Sequence, residues 1–300
     1  MAQSHYSHFV DEGNVHRRDS LSTGGCYQRR GSGYASPEYP THPGAPKVPP
    51  IIMIEINNCH FSYPDGTPAL KGIDLAVRDG EFLLLCGPNG SGKTTLIRLM
   101  SGLITSTSGK VRINGLEGVK ASKEIGRSVG IVFQDADSQI IGETVEEDVA
   151  FGPENMGLSS NEISDRVIWA LEMMGLENIL KKSCYLLSGG EKKRLSLAGV
   201  LAMKPSIILF DEPFSHLDYS GVREILRHMV RFHHEGHTLV VATHDVEKVV
   251  AHVDRVAVLY NGELKVAAPP DQIIEELSRF GVRPPCYALH GKEKLSWLAE

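Results

Sequence analysis

The sequence contains no apolar run near the ~18 residues that a membrane-spanning helix needs. Its longest, such as Phe82 to Cys86 and Ile207 to Phe210, are far shorter, so direct membrane insertion is not expected and membrane association has to come through partners. The N-terminus carries no apolar core of a secretory signal. There is no basic surplus: the formal net charge is −6, which argues against a nucleic-acid partner. The five cysteines are odd in number and scattered, with no CxxC pair, so neither a disulfide framework nor a zinc site is indicated. What is present, 41% hydrophobic and 23% charged residues, suffices for an ordinary globular core.

Residues 1 to about 50 stand apart. They are rich in Gly, Ser, Pro, His and Tyr, and they close on Pro43, Pro46, Pro49 and Pro50. Such a segment cannot bury enough apolar surface to offset its ordering entropy, so 1–52 is expected to be a disordered leader. Its histidines (His5, His8, His16, His42) are read as solvated. Order is expected to begin with the alternating strand Met53-Ile54-Glu55-Ile56. Met53 is then the expected native start, which an intact-mass measurement of the native protein checks. Further strands are predicted at Phe82 to Gly87, Lys110 to Ile113, Val129 to Phe133, Ser206 to Phe210 and Thr238 to Thr243. Helices are predicted over Thr94 to Gly102, roughly 144 to 182, Gly189 to Met203 and Val222 to His234. Strands separated by helices imply an α/β fold with a parallel sheet covered on both faces.

Gly87-Pro88-Asn89-Gly90-Ser91-Gly92-Lys93-Thr94 matches GxxxxGK[ST], and it lies between a predicted strand and a predicted helix. Glycines let backbone N–H groups approach phosphates, and the helix N-terminus adds a favourable dipole. Lys93 is placed to bind the β- and γ-phosphates and the Thr94 hydroxyl to ligate Mg²⁺. A second site closes the apolar strand Ile207-Ile208-Leu209-Phe210 with Asp211-Glu212, at the carboxyl edge where α/β sheets bind ligands. Asp211 can hold the Mg²⁺ shell and Glu212 can polarise an attacking water. At Leu187-Ser188-Gly189-Gly190-Glu191, Ser188 and Glu191 have capping-box spacing, which leaves two glycines in a first helical turn suited to an anion.

This last motif resembles the signature of ABC ATPases, and over about 53–268 the other motifs follow in that family's order. The resemblance implies a P-loop NTPase fold. Its parts are a RecA-like core with a parallel sheet, an N-terminal antiparallel β subdomain and an inserted α-helical subdomain at about 136–190. It further implies that Tyr63 stacks on adenine and that Gln134 senses Mg²⁺ and the γ-phosphate. His244 is then the switch histidine, and Thr95 joins the cradle. Ser188, Gly189 and Gly190 meet a partner's ATP, with Asp218 in the loop Ser215-His216-Leu217-Asp218, where His216 departs from the small residue usual in the family. One complete motif set implies a dimer, homomeric or with a second ABC ATPase. His228, His233, His234 and His237 gain no such role and are read as helix-surface residues.

Asp135-Ala136-Asp137-Ser138-Gln139, Thr144 to Pro153, and Lys192-Lys193-Arg194 through Ala202 resemble the ATPases of energy-coupling-factor importers. That resemblance implies a transmembrane coupling protein and a membrane substrate-binding component as partners. It places the chain peripherally at the cytoplasmic face of the cell membrane, with a helix of the transmembrane partner received after Gln134. Cobalt or nickel is the first expected cargo and a vitamin the second; an exporter ATPase is the rival reading. The absence of an NKxD motif excludes a P-loop GTPase. Residues 269–300 form a short extension, with a helix expected over Asp271 to Phe280.

Overall fold

The computed structural model describes residues 51–117, 122–290 and 296–299; the leader expected over 1–52 falls almost wholly outside them. The first strand, β1 (Ile52–Ser62), starts one residue before Met53. It alternates inward aliphatics with outward polar groups and pairs antiparallel with β2 (Pro68–Arg78) and β4 (Ser108–Ile113). With β5 (Leu116–Glu117) these form a four-stranded sheet in the order β2-β1-β4-β5.

The central sheet is built from β3 (Phe82–Cys86), β6 (Val129–Val132), β7 (Ile207–Asp211), β8 (Thr238–Ala242), β9 (Arg255–Tyr260) and β10 (Glu263–Ala268). Its order is β10-β9-β3-β8-β7-β6, parallel except for β10. Strands β3, β7 and β8 are buried throughout, as expected for a parallel sheet covered on both faces. The two-residue period divides them between two cores. Phe82, Leu84, Phe210 and Val241 face one; Leu83, Leu85, Leu209 and Val240 face the other, shared with the antiparallel sheet and α1 (Lys93–Met100).

The remaining helices are α2 (Ser122–Ser128), α3 (Val145–Asn155), α4 (Ser160–Met173), α5 (Gly189–Ala202), α6 (Tyr219–His234), α7 (Pro270–Ile273) and α8 (Cys286–His290). Helices α3, α4 and α5 each open on a complete capping box, Thr144/Glu147, Ser159/Glu162 and Ser188/Glu191, so their starts are written locally in the chain. The helix expected over 271–280 is instead the short α7 followed by a 3₁₀ stretch, Ile274–Phe280. Ile274, Leu277 and Phe280 bury one side at a spacing of three, the period at which a 3₁₀ helix aligns its side chains.

Candidate active site

Between β3 and α1 the chain wraps a tight loop in which Gly87 and Gly92 are demanded by close approaches. A Cβ on Gly87 would stand 2.1 Å from the carbonyl oxygen of Leu259 on β9, and one on Gly92 would stand 2.8 Å from that of Ala69. Gly92 caps α1 at φ 102°, without a side-chain hydrogen bond and with no acid in the first turn. The first N–H groups of α1 are thus left for an anion. Lys93 Nζ donates to the carbonyls of Gly87 (2.8 Å) and Pro88 (3.2 Å) and lies 3.7 Å from Glu212 Oε1. Burial pushes the Lys93 pKa down, against the pull of Glu212 and Asp211.

Strands β7 and β8 deliver the second half of the site. Thr94 Oγ1 donates to Asp211 Oδ1 at 3.1 Å; burial raises the Asp211 pKa, opposed by that bond. Glu212 sits at φ 45°, a left-handed conformation costing about 1–2 kcal/mol for a residue with a Cβ, and its N–H donates to the Ala242 carbonyl at 2.8 Å. The turn aims the carboxylate back into the cleft. There it accepts from the Thr243 hydroxyl (2.9 Å) and the His244 amide (3.2 Å), and it lies 2.9 Å from His244 Nδ1. Lys93, Thr94, Glu212 and His244 converge on a cavity of about 420 Å³ that Tyr63 and Gln134 also line. Among the described residues no three His, Cys, Asp or Glu gather as a metal cluster. A hydroxyl and one carboxylate beside a phosphate cradle nevertheless suit Mg²⁺, which takes few protein oxygens and keeps water and phosphate as its other ligands.

The model for the family described as ABC transporter matches residues 70–215. The energy-coupling factor transporter ATP-binding protein EcfA of Methanocaldococcus jannaschii is 40% identical over 242 residues, 78% of this chain and 86% of that protein. The EcfA protein of Methanothermobacter thermautotrophicus is 44% identical over 228 residues, 75% of this chain and 73% of that protein. This chain belongs to the ABC transporter ATPases. Among solved structures, cbiO1 from Clostridium perfringens, part of the ABC transporter complex cbiONQ, superposes with a TM-score of 0.69 at 36% identity, covering 76% of this chain and 93% of cbiO1. A cassette solved as a dimer in a post-hydrolysis state with ADP and phosphate superposes at 0.66 with 30% identity, covering 72% of this chain and 98% of that one. As an ABC ATPase, the chain binds and hydrolyses ATP.

In this ABC ATPase the predicted residues separate into two groups. Tyr63, Asn89, Gly90, Gly92, Lys93, Thr94, Thr95, Gln134, Glu212 and His244 line the cavity. Asp211 stands behind Thr94, while Gly87 and Ser91 pack against each other beside β9 and Pro88 serves through its carbonyl. Tyr63 is edge-on to Phe61 with ring centroids 5.2 Å apart, and its hydroxyl meets Thr95 Oγ1 at 2.9 Å. Ser188, Gly189, Gly190 and Asp218 do not line the cavity. Asp218 caps α6, accepting from the Gly221 amide at 2.8 Å. Thr67, Pro68 and Ala69 also line the cavity and were not anticipated. They sit there because the turn after Tyr63 closes through the Tyr63 N–H to the Thr67 carbonyl at 2.9 Å; the Pro64-Asp65-Gly66 turn sequence was the available signal. The histidine reading is corrected in part. His237 lies beyond α6 and meets the Pro205 carbonyl at 2.9 Å, and His233 lies 3.2 Å from Asp254. His228 is half-buried, and its pKa is lowered by burial.

Proposed function

We propose that this chain is the ATP-hydrolysing subunit of an energy-coupling-factor importer. It acts as a dimer at the cytoplasmic face of the cell membrane, beneath a transmembrane coupling protein and a small membrane substrate-binding component. Cobalt or nickel is the first cargo to test and a vitamin the second. The observation carrying the reading is the split site. Cradle, acid pair and His244 converge on one cavity, while Ser188-Gly189-Gly190 lie outside it, with nothing within 4 Å of a Cβ at either glycine. An open, glycine-built helix end of that kind is what a second protomer's nucleotide would need to approach.

Lys93 and the α1 N–H groups hold the phosphates, and Tyr63 presents its ring at the adenine end. Thr94, Asp211 and Gln134 would hold Mg²⁺, which draws charge from the phosphate oxygens when bound. Glu212, steadied by Thr243 and His244, orients the attacking water and takes up its proton, and His244 also faces the γ-phosphate. Coupling to a membrane partner is supported by a separate groove of about 430 Å³, lined by Leu103, Phe133, Gln139, Ile141 and Phe151. Ile141, Leu103 and Phe151 are 65%, 57% and 45% exposed, an apolar surface fit for an amphipathic helix. Among the described residues no helix is long and apolar enough to cross a membrane.

Purifying Glu212→Gln from its native membranes with ATP and Mg²⁺, followed by mass spectrometry of what accompanies it, tests the reading. A coupling protein together with a small membrane binding protein supports it and points to the cargo. Exporter-type permeases alone overturn the importer assignment.

A further inference from the structure

Among the described residues two buried charges lie outside the catalytic set, Glu81, which pairs with Arg255 at 3.0 Å, and Lys193, which has no such partner. Lys193, on α5, is 3% exposed. Its Nζ donates to the backbone carbonyls of Phe133 (2.8 Å) and Gln134 (3.1 Å), and no ion pair to it is present among the described residues. Burial holds its pKa at about 8, against the pull of the more distant Asp211 and Asp135. Stripping an ammonium of water is costly, and an aliphatic side chain would fill the space without that cost. The charge secures the two carbonyls at the point where the chain leaves β6.

That point has little other support. Among the described residues strand β6 is the edge of the central sheet and pairs with β7 alone, so none of their strands flanks the far side of the loop 133–139. It is held instead by successive turns of α5. Lys192 pairs with Asp137, and Gln139 Nε2 donates to the Ser196 carbonyl at 3.5 Å while its Oε1 accepts from the Phe133 amide at 3.1 Å. Lys193 is the member of this set that grips Gln134 itself, the residue whose side chain lines the nucleotide cavity. It stands five residues after Ser188, about 7.5 Å along the helix axis.

We propose that Lys193 is a positioning residue, tying the backbone of Gln134 to the signature helix α5. A nucleotide of the partner subunit seated on Ser188-Gly189-Gly190 thereby sets where Gln134 stands at this protomer's own nucleotide. The inference rests on the dimer reading above. It makes each α5 a rigid link between the two sites of a pair, with the ammonium as the attachment.

Two readouts test it. In nucleotide-free protein, Lys193→Met speeds hydrogen exchange of the 134–139 amides about tenfold, the order expected when a local tie is lost, and leaves β7 and β8 protected. In steady-state hydrolysis, the cooperative ATP dependence that the dimer reading predicts for the wild type becomes hyperbolic, while N-methylanthraniloyl-ATP binds dilute protein with unchanged affinity. In a Gln134→Ala background the same substitution adds nothing to the kinetic effect, because both act on one element. If the methionine variant does not fold, Lys193→Leu, which likewise lacks a donor, is read the same way. Unchanged loop exchange, retained cooperativity, or additive effects in the double variant would each overturn the proposal. A wild type that neither dimerises nor shows cooperativity overturns the dimer reading and the cross-site part with it, whereas the exchange experiment still reports on the tie.

Discussion

Two helices of this protein begin with glycines at positions read as phosphate-binding, α1 and α5, and the chain finishes them in opposite ways. The start of α1 has no capping side chain and no acid in its first turn, and Gly87 and Gly92 are wedged against β9 and the residues after Tyr63. The start of α5 carries a complete capping box. Ser188 Oγ accepts from the Glu191 amide, and Glu191 accepts from the Ser188 N–H at 2.7 Å and from Lys182 at 3.1 Å. Its glycines face open space. At α1 glycine is required by the chain's own packing and the anion is left to finish the helix. At α5 a side-chain box closes the Ser188 and Glu191 amides, and the open glycines between them leave room for something arriving from outside.

The contrast can be sharpened by substitutions, beginning with the largest effect. Glu212→Gln is expected to lower turnover about 10²–10⁴-fold, the span of general acid–base contributions. ATP should then hold two protomers together, read by phosphate release and by size-exclusion chromatography. An unchanged rate removes Glu212 from its role. Gly87→Ala forces a Cβ onto the Leu259 carbonyl and should cost about 1–3 kcal/mol in urea unfolding. Gly190→Ala should cost under about 0.5 kcal/mol and instead weaken ATP-driven dimerisation; equal losses of stability at both glycines would break the comparison. Ser188→Ala removes the cap and should cost about 1 kcal/mol, with nucleotide affinity of dilute protein unchanged. The smallest effect concerns pH. The Ser188 N–H, and after it Lys182, hold the Glu191 pKa down from 4.5 to about 2. Because the folded value is depressed, the stabilisation is present above about pH 4.5 and fades as pH falls toward 2. The stability gap between wild type and Glu191→Gln should therefore narrow across that window in urea titrations, and a gap that widens would refute the assignment.

Much of this was legible in the chain. The cradle at 87–94, the acid pair 211–212 and the capping box at 188–191 are contiguous, because each performs its task within one turn of backbone. The parallel sheet followed from fully apolar strands separated by helices, although the edge positions of β6 and β10 come only from the pairing. What escaped depends on contacts across long stretches of chain. Thr67 to Ala69 reach the cavity through the fold of one turn. Lys193 meets carbonyls some sixty positions earlier, and a lysine on a helix gives no sign that it points inward. His233 and His237 were misjudged for the same reason, since Asp254 and Pro205 are their partners only in three dimensions. Asp218 shows a further limit. Its capping of α6 is visible in one chain, whereas a role toward a neighbour's nucleotide belongs to a second copy.

A site divided between two protomers, as proposed above, makes protein concentration a control variable. On the dimer reading, copies adrift in dilute solution spend their time as halves, binding nucleotide without the surface that completes the reaction. A platform that holds two copies within a few nanometres raises their effective concentration to about the millimolar range, and the same molecules then turn over. ATP consumption is thereby confined to assembled complexes, with no inhibitor needed for the free pool.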